Sequence, residues 1–258
     1  MKKGTVTQAE WNEFWSDVCD SYIAVTGHTY EMGRVLAEYC MRARIVGNDS
    51  TILDIGSGPG IFAIPLAENG CAVTAIDPAA GMCGVLSREA ANAGVSNISV
   101  VCREFRGFVP SAKYDLVLAA FCPVMREPDC VAMMEEMSGR YCAFVLSACP
   151  DASEFRKALW QKIFERPCDA ELSAEVPLAM LLDRGRKAAC VSLPYAVEIC
   201  RPVEVFEHFY SRYFRLFGGA GKKVDAVIHA FFNDVACDGY IWMRYDKNLS
   251  LIWWEKNG

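Results

Sequence analysis

Apolar residues recur along this chain with two different rhythms, and the change between them falls near residue 50. Trp11, Phe14, Trp15, Val18 and Tyr22 follow one another mainly at spacings of three and four, which predicts a helix with one apolar face. A second helical stretch runs over 30–46 and is broken by Gly47-Asn48-Asp49. From Thr51 onward, short runs that are apolar almost throughout alternate with helical patterns. Strands are expected at 51–55, 72–76, 98–102, 114–120 and 141–147, and helices at 60–69, 81–93, 129–137 and 152–164. Strands without a polar face are buried on both sides. This βαβα rhythm therefore predicts a mostly parallel sheet covered by helices on both faces.

The last hundred residues are less regular. A strand is expected at 195–200 and helices at 202–214 and 224–236. The segments 240–245 and 250–256, around Asp246-Lys247-Asn248, read as a terminal antiparallel β-hairpin that would close one edge of a mixed sheet. Trp253 and Trp254 would then point to opposite faces, with at least one indole buried. No internal repeat, low-complexity tract or linker interrupts the chain.

One segment carries chemistry. In Thr51-Ile52-Leu53-Asp54-Ile55-Gly56-Ser57-Gly58-Pro59-Gly60, a buried strand delivers an acidic residue, and alternating glycines then turn the chain toward a helix. Gly56 and Gly58 permit tight, left-handed geometry and close approach of a ligand to bare backbone. A helix starting near Gly60 would offer free N–H groups to a ligand carboxylate. Asp77 follows the second strand, where a carboxylate can accept the two ribose hydroxyls of a nucleoside cofactor. A dinucleotide fingerprint would need Gly or Ala at position 61; the residue there is Ile61, which disfavours NAD.

Asp54-Ile55-Gly56-Ser57-Gly58-Pro59-Gly60, Asp77, and Tyr114-Asp115-Leu116-Val117 opening the fourth strand resemble the motifs of class I S-adenosylmethionine (SAM)-dependent methyltransferases. The resemblance covers roughly residues 50 to 150. It implies a Rossmann-like, seven-stranded, mostly parallel sheet and SAM as cofactor, with S-adenosylhomocysteine (SAH) as its product. It also implies roles for single residues. Asp54 would order the glycine loop and the cofactor's amino group, while Gly56, Ser57, Gly58 and Gly60 would line the methionine moiety. Asp77, followed by Pro78, would hold the ribose. Met82 would pack on the base, although it also fits plain core. After the third strand, Glu104 is the candidate for the adenine amino group, where relatives often place an aspartate, and Phe105 is a candidate stacking partner. Ala119, with Ala120 and Phe121, ends the fourth strand where relatives position the reacting methyl group. No Asn-Pro-Pro-Tyr or Asp-Pro-Pro-Tyr signature stands there, which counts against amino methylation of nucleobases or glutamine.

On this reading, residues 1–48 form an N-terminal helical lid and 49–258 the methyltransferase domain, with an acceptor-side elaboration at about 165–240. Methyl transfer from a sulfonium is an in-line displacement, so positioning can suffice and no triad or metal need appear. His28, between Gly27 and Thr29, is the weak candidate for a base; His208 and His229 sit in helical patterns and read as packing or surface residues. The aromatic run from Phe206 to Phe217 reads chiefly as core. Asp115 reads as a strand-start residue with a structural bond.

Composition narrows the acceptor. A formal charge of -6 argues against a broad electrostatic footprint on nucleic acid and favours a small-molecule acceptor. No uncharged apolar run approaches the roughly 18 to 20 residues of a membrane span, and the first residues lack a secretory pattern, so a cytoplasmic protein is expected. The 13 cysteines show no C-x-x-C spacing and, with 3 histidines, suggest packed thiols rather than a metal site. Two other readings stay open at this point: an NAD-dependent oxidoreductase, and a SAM-binding regulatory protein without turnover. The oligomeric state is not legible.

Overall fold

The computed structural model describes residues 6–26, 29–147, 151–168 and 174–256. Seven strands form one sheet: β1 (Thr51–Ile55), β2 (Ala72–Asp77), β3 (Ile98–Cys102), β4 (Tyr114–Ala120), β5 (Ser138–Ser147), β6 (Ala188–Pro202) and β7 (Tyr240–Glu255). Their order is β3-β2-β1-β4-β5-β7-β6. The first five pair in parallel, and β7 runs antiparallel to β5, with Tyr141 opposite Glu255 and Ser147 opposite Leu249. The order reverses at β1, which lies between β2 and β4. In an open α/β sheet, ligands bind beyond the carboxyl ends of the strands at such a reversal.

The helices are α1 (Gln8–Asp17), α2 (Tyr22–Thr26), α3 (Tyr30–Arg42), α4 (Ala63–Glu68), α5 (Ala80–Asn92), α6 (Cys130–Met137), α7 (Asp151–Phe164), α8 (Glu175–Asp183), α9 (Val203–Leu216) and α10 (Lys222–Val235). Several boundaries depart from the sequence expectation, and three of them turn on the backbone. The helix expected from Gly60 starts at Ala63, because Gly60 sits at φ +87, outside the helical region. The helix expected to reach residue 46 stops at Arg42, and Ile45 N–H closes its end on the Cys40 carbonyl at 2.9 Å. The turn expected at Asp246-Lys247-Asn248 is absent, since Tyr240–Glu255 is one continuous strand. The tight turn lies earlier, at Asp238 (φ +50) and Gly239 (φ +79), between Cys237 and Tyr240, which exchange two 2.9 Å hydrogen bonds. Two successive left-handed residues make a type I′ turn, and Asp-Gly is its preferred sequence.

The chain divides into two compact units. The larger comprises 29–149, 172–195 and 247–258. One face of its sheet carries an apolar cluster that includes Leu53, Ile55, Val117, Met134, Phe144 and Trp254. Trp254 donates its indole N–H to Glu135 at 2.9 Å, and Arg186 grips the same carboxylate at 2.7 and 2.9 Å. Asp115 makes the structural bond expected of it, accepting from Thr51 N–H (2.8 Å) and the Thr51 hydroxyl (3.0 Å).

The smaller unit comprises 1–28, 150–171 and 196–246. The aromatic stripe of α9 is its core: Phe206, Phe209, Tyr210 and Phe214 are buried. Phe232 of α10 lies 5.6 Å from Phe206, and Trp160 of α7 lies 5.9 Å from Phe214. Phe14 of α1 meets Phe209 edge-on at 5.6 Å. His208 and His229 are on its surface, His229 paired to Glu207 at 2.7 Å. No helix among the described residues is long and apolar enough to cross a membrane.

Candidate functional site

Asp54 is the penultimate residue of β1, flanked in register by Ala75 of β2 and Leu118 of β4. Its carboxylate is 1% exposed, and neither oxygen has a hydrogen-bond partner among the described residues. Burial, and then the nearby Asp77 charge, push its pKa up to about 7. Beyond β1 the chain bends sharply: the N–H groups of Gly56 and Ser57 both donate to the Ile76 carbonyl, at 2.8 and 3.1 Å.

The three loop glycines all sit at positive φ, yet they do different things. A Cβ at Gly56 would come within 2.6 Å of the Cys122 sulfur, and one at Gly60 within 2.9 Å of Leu86 Cγ. Packing therefore requires glycine at both. At Gly58 nothing lies within 4 Å, so that is where bare backbone faces open space.

Asp77 ends β2 with its carboxylate aimed at the loop. Oδ2 accepts from Gly58 N–H at 2.9 Å and Oδ1 from Ala79 N–H at 2.8 Å. Burial still holds this carboxyl above the ordinary range despite the two donors. Each oxygen keeps acceptor capacity for a ligand hydroxyl. The Ser57 hydroxyl is also buried without a partner among the described residues. The loop amides of Gly56, Ser57, Gly58 and Gly60 are all engaged internally. The side-chain oxygens of Asp54 and Ser57 therefore stand among the unengaged polar groups of the loop.

The structure places the other candidates as follows. Pro78 is half-buried directly after Asp77, and Met82 is buried in the first turn of α5. Ala119 is fully buried opposite Ile55. Phe105 is buried in the same apolar cluster as Ile76 and Val117, while Glu104 is exposed and its carbonyl closes the short helical turn at Phe105–Gly107. His28 lies outside the described residues.

Sequence reasoning missed what braces the loop. The Tyr30 hydroxyl donates to the Pro59 carbonyl at 3.0 Å. Gly33 packs so closely that a Cβ there would lie 1.8 Å from the Ile61 carbonyl oxygen. A glycine inside a helix weakens it, so Gly33 was itself a signal of close backbone approach. Phe121, just beyond β4, holds a left-handed φ of +51 and stacks on Phe62 at 6.1 Å, and nothing in its residue type announced this.

Residues 52–140 match the family described as methyltransferase domain. An uncharacterized protein of Haemophilus influenzae is 24% identical over 221 residues, covering 83% of this chain and 80% of its own length. The ribosomal RNA small subunit methyltransferase G of Nitrosococcus oceani is 34% identical over 120 residues, 42% of this chain and 55% of that protein. Among solved structures, a candidate type II methyltransferase from Anaeromyxobacter dehalogenans superposes with a TM-score of 0.58 at 16% identity, covering 86% of this chain and 96% of that one. Residues 52–140 are similar to methyltransferase domains, and the chain shares its fold with a solved methyltransferase.

The residues of this site fit SAM as cofactor on their own chemistry. The ligand carries an ammonium, a carboxylate and two ribose hydroxyls; the site presents an unpartnered buried carboxylate, an unpartnered hydroxyl, a half-engaged carboxylate and one open glycine. Phe121 and Cys122 follow the end of the fourth strand, beside this set. Burial first, and then the Asp77 and Asp54 carboxylates, push the Cys122 thiol up to about 12. It is therefore neutral, and packs on Gly56 as a small apolar group rather than acting as a nucleophile.

Proposed function

We propose that this methyltransferase transfers a methyl group from SAM to a small-molecule acceptor by in-line displacement. The observation that carries the proposal is the unpartnered carboxylate of Asp54, buried beside Asp77 at the carboxyl end of β1. A buried carboxylate without donors is costly unless a cation or a proton answers it. The ammonium of SAM is such a cation. Asp77 accepts the ribose hydroxyls on its remaining lone pairs. Ser57 and the bare face of Gly58 take the methionine end, and Gly56 and Gly60 keep the loop tight. Pro78 and Met82 flank the base, with Phe105 and Glu104 on the adenine side and Ala119 behind the methyl. Bound SAM supplies the electrophilic sulfonium methyl. The protein's part is to hold that methyl in line with the acceptor and exclude water, which needs no base when the acceptor arrives deprotonated.

The net charge of -6 supports a small acceptor over a polyanion. A ribosomal RNA acceptor is the second reading, and the Nitrosococcus relative favours it.

Calorimetric titration with SAM and SAH tests the cofactor site. Asp77→Ala is expected to weaken both by about tenfold or more, or roughly 1.4 kcal/mol. Affinity of the intact protein for SAM is expected to rise with pH up to about 7 and then level off, as Asp54 loses its proton. Absence of binding to the folded parent protein would sink the proposal. Labelled SAM offered with small acceptors and with ribosomal RNA separates the two readings: salt-sensitive labelling of RNA selects the second. Binding without transfer to any acceptor would instead indicate a SAM-binding regulator.

A further inference from the structure

A cavity of about 340 Å³ opens at the other end of the same unit, among residues that precede β1 and residues at the starts of β4 and β5. Met41 and Ile45 supply apolar walls; Arg44, Arg140, Ser50 and Asp115 supply the polar lining. Arg44 occupies an unusual backbone position. Helix α3 ends with Ile45 N–H on the Cys40 carbonyl (2.9 Å) and Arg44 N–H on the Met41 carbonyl (3.1 Å). This double bond pattern demands a left-handed residue between them, ordinarily glycine. Helices α5 and α8 end in the same way on Gly94 (φ +69) and Gly185 (φ +67), whereas α3 puts Arg44 there at φ +58. Glu165, after α7, is also left-handed, but makes a single bond to Gln161. Strain of this kind is retained where something else is gained.

The gain at Arg44 is a guanidinium on the cavity wall that no carboxylate among the described residues engages. Arg140 brings a second one. It lies over the Tyr141 ring at 4.6 Å, and its ion pair with Glu255 is loose at 3.7 Å. Asp115 is the one lining carboxylate, and its Oδ2 already accepts twice from Thr51. We propose that this cavity is a binding site for a small organic anion, a phosphate monoester or a carboxylate, whose charged end meets Arg44 and Arg140 and whose short apolar end lies against Met41 and Ile45. A guanidinium suits planar or tetrahedral oxyanions, which it can meet with two parallel hydrogen bonds. The site is separate from the glycine loop, which lies at the carboxyl ends of the strands.

The test is calorimetric titration of the full chain with phenyl phosphate and, separately, phenylacetate, which distinguishes the two oxyanions. Saturable binding of at least one is expected, weakened by about tenfold or more in Arg44→Gly and in Arg140→Gln. Arg44→Gly relieves the left-handed strain and is expected to melt no lower than the parent protein, so its loss of binding cannot be a failure to fold. The proposal is overturned if neither probe binds the parent protein saturably, or if Arg44→Gly binds as tightly as the parent.

Discussion

The two units of this chain bury their cores by different means. In the larger one, aliphatic side chains of β1 and β4 lie in ladders whose register is set by main-chain hydrogen bonds. In the smaller one, rings on α1, α7, α9 and α10 meet edge to face and tilted, at centroid separations such as 5.5 Å for Phe155–Phe232 and 4.8 Å for Trp160–Phe217. A ladder places the ends of neighbouring strands by backbone geometry alone, so Asp54 and Asp77 arrive together whatever aliphatic residues fill the strands. A ring cluster has no such scaffold; its geometry depends on each ring against the next. The unit that carries Asp54 and Asp77 is the one built on main-chain register.

Truncation of one large ring in each core breaks this comparison most directly. Phe144→Ala in the sheet and Phe214→Ala in the ring cluster remove fully buried side chains, and each is expected to cost about 4 kcal/mol. Hydrogen exchange read by mass spectrometry would show whether each loss stays within its own unit; equal loss of protection in both would mean the two cores fold as one. A smaller effect is expected at the brace of the glycine loop. Gly33→Ala forces a methyl onto the Ile61 carbonyl and should cost about 3 kcal/mol by denaturant melting, together with weakened SAM binding. An alanine that is tolerated would show that α3 can shift away from the loop.

The smallest effect sharpens the contrast by pH. Asp54 has a folded-state pKa raised to about 7 from the ordinary carboxylate value near 4. A raised carboxyl pKa means that its contribution to stability is complete below pH 4 and is lost as pH climbs through 7. The ligand-free protein should therefore weaken between pH 4 and 8, and Asp54→Asn should remove that slope. At pH 8 the variant is expected to be more stable by on the order of 2 kcal/mol, because relaxation and water entry blunt the burial penalty. Chemical melts at several pH values would check it; an unchanged slope in the variant would assign the dependence to other groups.

The regular half of the chain was the legible half. Strands at 51–55, 98–102 and 114–120 stand where the apolar runs predicted them, because parallel strands buried on both faces carry an almost continuous apolar signal. The end of the chain was harder. The polar triplet Asp246-Lys247-Asn248 looked like a turn, yet Lys247 is 3% exposed within a strand that continues through it. The better turn signal, Asp238-Gly239, follows a helix rather than a strand, so it did not stand between two strand-like runs. Tyr30 and Gly33 fall within the helical lid expected over 1–48, and nothing local says that residue 33 will meet residue 61.

The local sequence determined the strand, the glycine loop and the two acidic residues, and with them the resemblance to methyltransferases. Each of these depends on backbone preferences and spacings within about thirty residues, which a single chain displays openly. Tertiary structure alone decided which loop glycine is open, which polar groups are left without partners, and what holds the loop in place. It also decided that an arginine would occupy a glycine's conformation at the far end of the sheet. Those outcomes rest on contacts between segments distant in sequence, where a few tenths of an ångström separate a packed atom from an open site.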